Sequence, residues 1–199
     1  MLPLPILKLA KLLGKMPHIG PKSAEKLAVW FVTDGRGLAP ELGSILTNLQ
    51  NSIDICDFCG YFIESGNTYC EFCSDPTRDA LSICIVEAQL DILDIEASGA
   101  YKGKYFILGG VISPLEGKTI SDLPFDKLKN IVREQEIKEI IIALGTTTEA
   151  DVTAMYIKEL LVDQNIKVTS LARGLSVGTS IRFAGKRSLA EAFKGRENF

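Results

Sequence analysis

The sequence predicts an α+β protein built of several modules: a helical N-terminal region, a small four-cysteine zinc motif, an α/β domain with a central, mainly parallel sheet, and a short basic tail. Three observations carry this. Apolar residues recur at helical spacing through the first third; Cys56-x-x-Cys59 is followed ten residues later by Cys70-x-x-Cys73; and strand-like runs alternate with helical ones from Leu81 onward. The boundaries fall at 1–54, 55–77, 78–172 and 173–199. A length of 199 residues gives one to two small domains at roughly 150 residues each. With 46% apolar and 24% charged residues, the chain has enough apolar surface to outweigh its conformational entropy and fold.

The elements follow in order. Ile6, Leu9, Ala10, Leu13 and Met16 recur at three and four, which predicts a helix from Ile6 to Met16 ended by Gly14 and Pro17, with lysines on its other side. A second helix starts at Pro21, a residue suited to the first helical position, and buries Ala24, Leu27, Ala28 and Phe31. A third runs from about Pro40 to Ile53 on Leu42, Ile45, Leu46, Leu49 and Ile53. The cysteine segment 56–73 is too poor in apolar residues for a core of its own. Beyond it, strands are expected at Leu81–Val86, Tyr105–Val111, Glu139–Leu144 and Lys167–Leu171. Helices are expected at Gln89–Ala97, Phe125–Glu134 and Glu149–Val162. This alternation indicates a parallel sheet covered on both faces. Ser188-Leu189-Ala190-Glu191 reads as a capping box that opens a short last helix ending at Gly195.

Four thiolates from two Cys-x-x-Cys pairs complete a closed tetrahedron, which suits one structural zinc ion and leaves no open position for catalysis. Disulfides are the alternative, disfavoured where cytosolic thiols stay reduced. Zinc also answers a physical need, since a segment with little apolar area can draw on the order of 10 kcal/mol of folding energy from a metal. Cys84, inside a strand, reads as a small buried thiol and not as a fifth ligand.

The turn Met16-Pro17-His18-Ile19-Gly20-Pro21-Lys22 joins two helices, and Gly20 is expected to let the backbone turn sharply. Free N–H groups at the start of the second helix then face outward as an anion site, and Lys22 and Lys26, one turn apart, add charge on a shared side. His18, Ile19, Gly20, Lys22 and Lys26 are the candidate DNA-contact residues, able to hold phosphate but not to read base edges. An ordinary helical hairpin is the plainer reading. Gly117-Lys118-Thr119 imitates the end of a phosphate-binding NTPase loop, but Ile112 stands where its first glycine is required. Glu87, Glu149 and Asp151 lie beyond strand ends, where sites collect in such sheets; they could build a magnesium site or simply complement a helix dipole.

Net charge is -3, but it is unevenly spread. Residues 1–32 carry +4, residues 33–99 carry -10, residues 100–172 carry -1, and residues 173–199 carry +4 from six basic and two acidic side chains. Phosphate contacts need local rather than global positive potential, so an acidic chain with basic ends can still hold DNA. The longest apolar runs, Leu27–Val32 and Ile140–Leu144, fall far short of the roughly 18 residues that cross a bilayer. Lysines interrupt the N-terminal apolar stretch, so no secretion signal is expected and the cytoplasm is the expected compartment.

In combination, Ile19-Gly20-Pro21-Lys22-Ser23-Ala24, the cysteine spacing, Asp75-Pro76-Thr77-Arg78-Asp79, Val86-Glu87, Gly99-Ala100-Tyr101-Lys102-Gly103-Lys104-Tyr105 and Ser113-Pro114-Leu115 resemble the RecR family of bacterial recombination mediators over essentially the whole chain. The resemblance implies a helix-hairpin-helix region, a zinc motif on Cys56, Cys59, Cys70 and Cys73, and a toprim-like domain. It further implies a ring, commonly tetrameric, that works with RecO, and in many bacteria RecF, to help RecA displace single-strand-binding protein at gaps. Lys22 and Lys26 would face DNA in that ring, and the toprim surface around Glu87, Glu149 and Asp151 would meet RecO. Toprim enzymes hold metal with an Asp-x-Asp, and matching on Glu149 puts Gly145 and Thr147 at those positions, so no catalytic residue is expected. Departures from the family pattern are His18 for glycine, Glu149-Ala150-Asp151 for Glu-Gly-Glu, Ser176 for proline, and Ala184-Gly185-Lys186 for a segment that normally holds an acid. The rival readings are a magnesium-dependent toprim-type nuclease or primase using Glu87, Glu149 and Asp151, and a zinc-module adaptor that binds only proteins.

Overall fold

A computed structural model describes residues 2–196; Glu197, counted among the tail's acids, lies outside the described residues. The chain divides into two compact units, Met1–Asp54 and Ile55–Phe199.

The first unit holds α1 (Leu4–Leu13), α2 (Pro21–Trp30) and α3 (Leu38–Ser52). Its core is small: Ala10 and Leu13 of α1 meet Ala24 and Ala28 of α2, with Ile6, Leu9, Ile19, Leu27 and Phe31 packed around them. Alanines on facing turns let the two helices approach closely, which is why this hairpin forms with so little apolar volume. α3 is present as expected, but its stripe is not covered: the helix buries no residue, and Ile45, Leu46 and Leu49 are each about half exposed. Ile53, assigned to that helix from the sequence, is instead extended and opens β1 (Ile53–Ile55).

In the second unit, β2 (Phe62–Glu64) pairs with β1, and α4 (Glu71–Ser74) follows. The main sheet contains β3 (Asp79–Val86), β4 (Gly103–Ile107), β5 (Glu139–Ala143) and β6 (Lys167–Ser170) in the order β4-β3-β5-β6, all parallel. Cys84 sits opposite Tyr105 and Ile141, and Ile140 opposite Val168. Between the strands run α5 (Gln89–Ser98), α6 (Phe125–Glu134) and α7 (Thr148–Leu160), and α8 (Lys186–Lys194) follows the last strand. The expected mainly parallel sheet is therefore found, with central strands buried on both faces as such sheets require. One face packs Ile83, Ile85, Ile140 and Ile142 against Phe125, Leu128 and Val132 of α6 and Ile157 of α7.

The other face shares its core with the cysteine motif: Phe72 meets Tyr105 edge-to-face at 5.7 Å, and Cys56, Cys59, Ile63 and Cys70 join Cys84, Val86 and Ile92. Here the poverty of apolar residues in 56–73 is made good by the sheet. Arg78 closes this region. Its guanidinium donates to Glu96 at 2.5 Å and to the Gly103 carbonyl at 2.9 Å, and lies over the Phe72 ring at 5.1 Å. Tyr105 donates to the other oxygen of Glu96. The Arg78 hydrogen bond holds the Glu96 carboxyl below its ordinary range. Gly103 is required, since a Cβ there would overlap the Tyr101 hydroxyl and stand 2.9 Å from the Ser82 carbonyl.

Three expectations need correction. The strand expected over Tyr105–Val111 stops at Ile107, because Gly109 and Gly110 take φ of 79° and 140°, which no strand residue adopts. The last helix begins at Lys186 with Gly185 as its cap, so Ser188 lies inside the helix and caps nothing, while Glu191 pairs with Lys194 at 2.8 Å. Gly20 has an ordinary extended φ of -77°; the residue with positive φ in that turn is His18, at 62°. A non-glycine residue there carries a cost of about 1–2 kcal/mol, consistent with the resemblance placing glycine at that position.

Candidate metal centre and nucleic-acid interface

The metal centre is built by two tight turns. Gly60, at φ 83°, lets its N–H reach back 3.0 Å to the Cys56 carbonyl, which curls the first pair. Cys70 precedes α4, whose first turn brings Cys73 round to the same side. The four Sγ atoms lie within 4.8 Å of one another, with Cys56, Cys59 and Cys70 buried. Tetrahedral thiolate coordination at about 2.3 Å per bond needs sulfurs in this proximity. All five cysteines are free thiols, so the disulfide alternative is not what the structure holds. Two backbone N–H groups point at sulfur: Tyr61 donates to Cys59 Sγ and Cys70 to Cys56 Sγ, each at 3.4 Å. Such donors stabilise thiolates. Packed this closely, the thiols perturb one another. A hydrogen bond with Cys59 raises Cys73 strongly, and the separate Cys59–Cys70 hydrogen bond holds Cys70 well below the ordinary thiol range. Four sulfurs sharing protons in a buried space form a donor set that fits a soft cation. Cys84 stands apart in β3, where burial alone pushes its thiol up to about 12.

The second candidate lies in the α1–α2 hairpin. His18 and Gly20 are exposed in the turn, while Ile19 turns its side chain into the hairpin core. Lys22 and Lys26 are exposed on α2. Neither forms an ion pair among the described residues, and Pro21 at the first helical position leaves the following N–H groups facing outward. Cations free of partners beside open N–H groups can take an extended anion without giving up a protein contact.

The three acids do not come together as one metal group; among the described residues the four cysteines are the only cluster of three or more such ligands. Glu87 is half-buried after β3. A side chain on Gly145 would begin 3.9 Å from Glu87 Oε2, so a carboxylate there would face Glu87 across the strand ends. Thr147 serves as the cap of α7, its hydroxyl accepting the Ala150 N–H at 3.1 Å. Asp151 is engaged by two arginines that sequence spacing does not connect with it, Arg173 and Arg187, each at 2.5 Å. The available signal is the surplus of cations in the tail opposite an acidic helix start. Lys118 of the imitation NTPase loop donates to the Gly109 carbonyl at 2.6 Å, and Gly117 ends a single tight turn rather than opening a helix on a phosphate.

Residues 82–172 match the family model described as a Toprim domain. Over most of its length the chain is also similar to proteins named Recombination protein RecR. The one from Dehalococcoides mccartyi is 38% identical, covering 96% of this chain and 93% of that protein. The Roseiflexus protein is 37% identical over 98% and 94%, and that of Alcanivorax borkumensis 38% over 92% and 91%. The relatives are named as recombination proteins and not by any reaction.

Proposed function

Since the chain belongs to the RecR family of recombination proteins, we propose that it is a cytoplasmic, DNA-binding recombination mediator with no reaction of its own. In this reading several copies, four in the full ring, surround DNA and act with RecO, and with RecF where present, to help load RecA onto gaps coated with single-strand-binding protein. The observation that carries it is the pair Lys22 and Lys26, exposed and without acidic partners among the described residues, beside an open helix start. Contacts of that kind address phosphates, so binding is independent of base sequence and falls steeply with salt. No helix among the described residues is long and apolar enough to cross a membrane.

The ion held by Cys56, Cys59, Cys70 and Cys73 is zinc in this reading, one per chain. Bound there, it supplies structure: it takes charge from the thiolates and has no open position for a water or substrate. The chain's own residues fix the cluster through the Tyr61 and Cys70 N–H donors and anchor it to the sheet, where Ile107 donates to the Cys59 carbonyl at 2.8 Å.

Lack of a reaction is supported by Gly145 and Thr147, where a metal-dependent toprim centre would need carboxylates. Glu87 and Glu149 then stand without the further acidic ligands that hold magnesium for strand cleavage. The acidic end of the sheet remains, in this proposal, the surface offered to RecO.

The test uses two labelled duplexes of unrelated sequence, each with and without magnesium. Equal affinities that weaken together as salt rises, with both duplexes left intact, are expected. Reproducible cleavage that is lost in Glu87→Gln would replace the mediator reading with the nuclease one.

A further inference from the structure

The tail has six basic side chains, yet three of them are already paired. Arg173 donates to Asp151 Oδ1 and Arg187 to Asp151 Oδ2, each at 2.5 Å, and Lys194 pairs with Glu191 at 2.8 Å. Asp151 stands in the first turn of α7 and Arg187 in the first turn of α8, so one carboxylate joins two segments that are 36 residues apart in the chain.

Apolar contact adds a small part to the hold on α8, through half-buried Leu189 and Ala192, the latter close to Gly174. The helix buries no residue, and a groove of about 810 Å³, floored by Leu144, Ala150 and Leu171, separates it from α7. Ile181, Phe183 and Phe193 are largely exposed, and only Ala184, Leu189 and Ala192 are half-buried among the segment's apolar side chains, so apolar burial anchors it weakly. Its attachment is therefore chiefly electrostatic. The pairs are open to water, with side-chain exposure of 28% for Arg173, 53% for Arg187 and 36% for Asp151, and exposed pairs of this kind are weak and screened by salt. A guanidinium binds phosphate with the same two-pronged geometry it uses for carboxylate. A nucleic-acid backbone supplies phosphates at far higher local density than one aspartate.

We propose that Asp151 is a charge latch: in the free protein it holds Arg173 and Arg187 against the end of the sheet, and a nucleic-acid backbone displaces it, taking both arginines and releasing α8. The tail is thus a second polyanion-binding surface held in reserve. This rests on the DNA-binding reading above. Arg182, Lys186 and Arg196, which form no ion pair among the described residues, extend the same surface once α8 is free.

The test is Asp151→Asn in the full chain, with two readouts. Without DNA, trypsin should cut at Arg182, Lys186 and Arg187 several-fold faster in the variant than in the parent. With labelled duplex over a salt series, the variant should bind several-fold tighter at low salt, because no carboxylate competes with the phosphates for the two arginines. Adding Arg173→Gln and Arg187→Gln should remove that gain. Unchanged proteolysis, or faster proteolysis with DNA affinity equal to the parent's, overturns the latch while leaving DNA binding intact. Faster proteolysis in a protein that ignores DNA with or without the substitution overturns the hand-over through failure of the DNA-binding reading itself.

Discussion

Cys70→Ser is expected to abolish retention of the metal and to cost several kcal/mol of stability, part of the roughly 10 kcal/mol or more that a structural zinc site contributes. Cys70 is the sulfur to remove because it lies at the centre of the cluster: it is buried, 3.4 Å from Cys59 Sγ, and its N–H donates to Cys56 Sγ. The damage will not stay local. Phe72, two residues on, packs on Tyr105, and Cys59 holds the Ile107 N–H of the edge strand, so a loosened motif uncovers one face of the sheet. For a chain of this size a loss of about 5 kcal/mol lowers the melting temperature by about 10–20 °C. Elemental analysis should find one zinc per chain in the parent and none in the variant, and a melting curve should show the drop. A parent protein that is metal-free and fully folded would remove the basis for this expectation.

The second large effect is expected from reversing two charges. Lys22→Glu with Lys26→Glu should weaken DNA binding by about 10- to 100-fold at moderate salt, for every sequence alike, and lower the salt slope by about 1.8, at about 0.9 for each phosphate that a lysine no longer neutralises. Both side chains are exposed on α2, away from the Ala24 and Ala28 face that packs on α1, so circular dichroism and the melting temperature should hardly move. Retention of parental affinity in the double variant would show that the hairpin is not the contact surface.

The parts of this molecule legible in the sequence are those governed by local period. Ala10, Leu13, Ala24 and Ala28 announce the hairpin, and the apolar runs around Ile83, Phe106 and Ile140 announce the sheet, because burial on two faces leaves a continuous apolar signature. The four cysteines are legible from chemistry: few uses of paired Cys-x-x-Cys compete with a metal. Features set by tertiary geometry are not legible. The strand ending at Ile107 reads longer in the sequence because Leu108 continues its apolar run, and only the backbone angles of Gly109 and Gly110 end it. The strands β1 and β2 are three residues each, too short for any period to register. At the turn, two residues flank Ile19, and composition favours glycine for the positive φ that His18 in fact adopts. Asp151 looks like a helix-start charge and is one, yet its partners arrive from 22 and 36 residues away. The Arg78–Glu96–Tyr105 network likewise explains the physical demand behind two of the motif stretches, a demand visible only once β3, β4 and α5 are in place.

The most direct measurement is the mass of the protein in solution, by light scattering, alone and with a duplex at moderate salt. A clamp without chemistry should run as a multiple of the 21.7 kDa chain and carry intact DNA in a single heavier species. A 21.7 kDa particle that elutes apart from the duplex would contradict it.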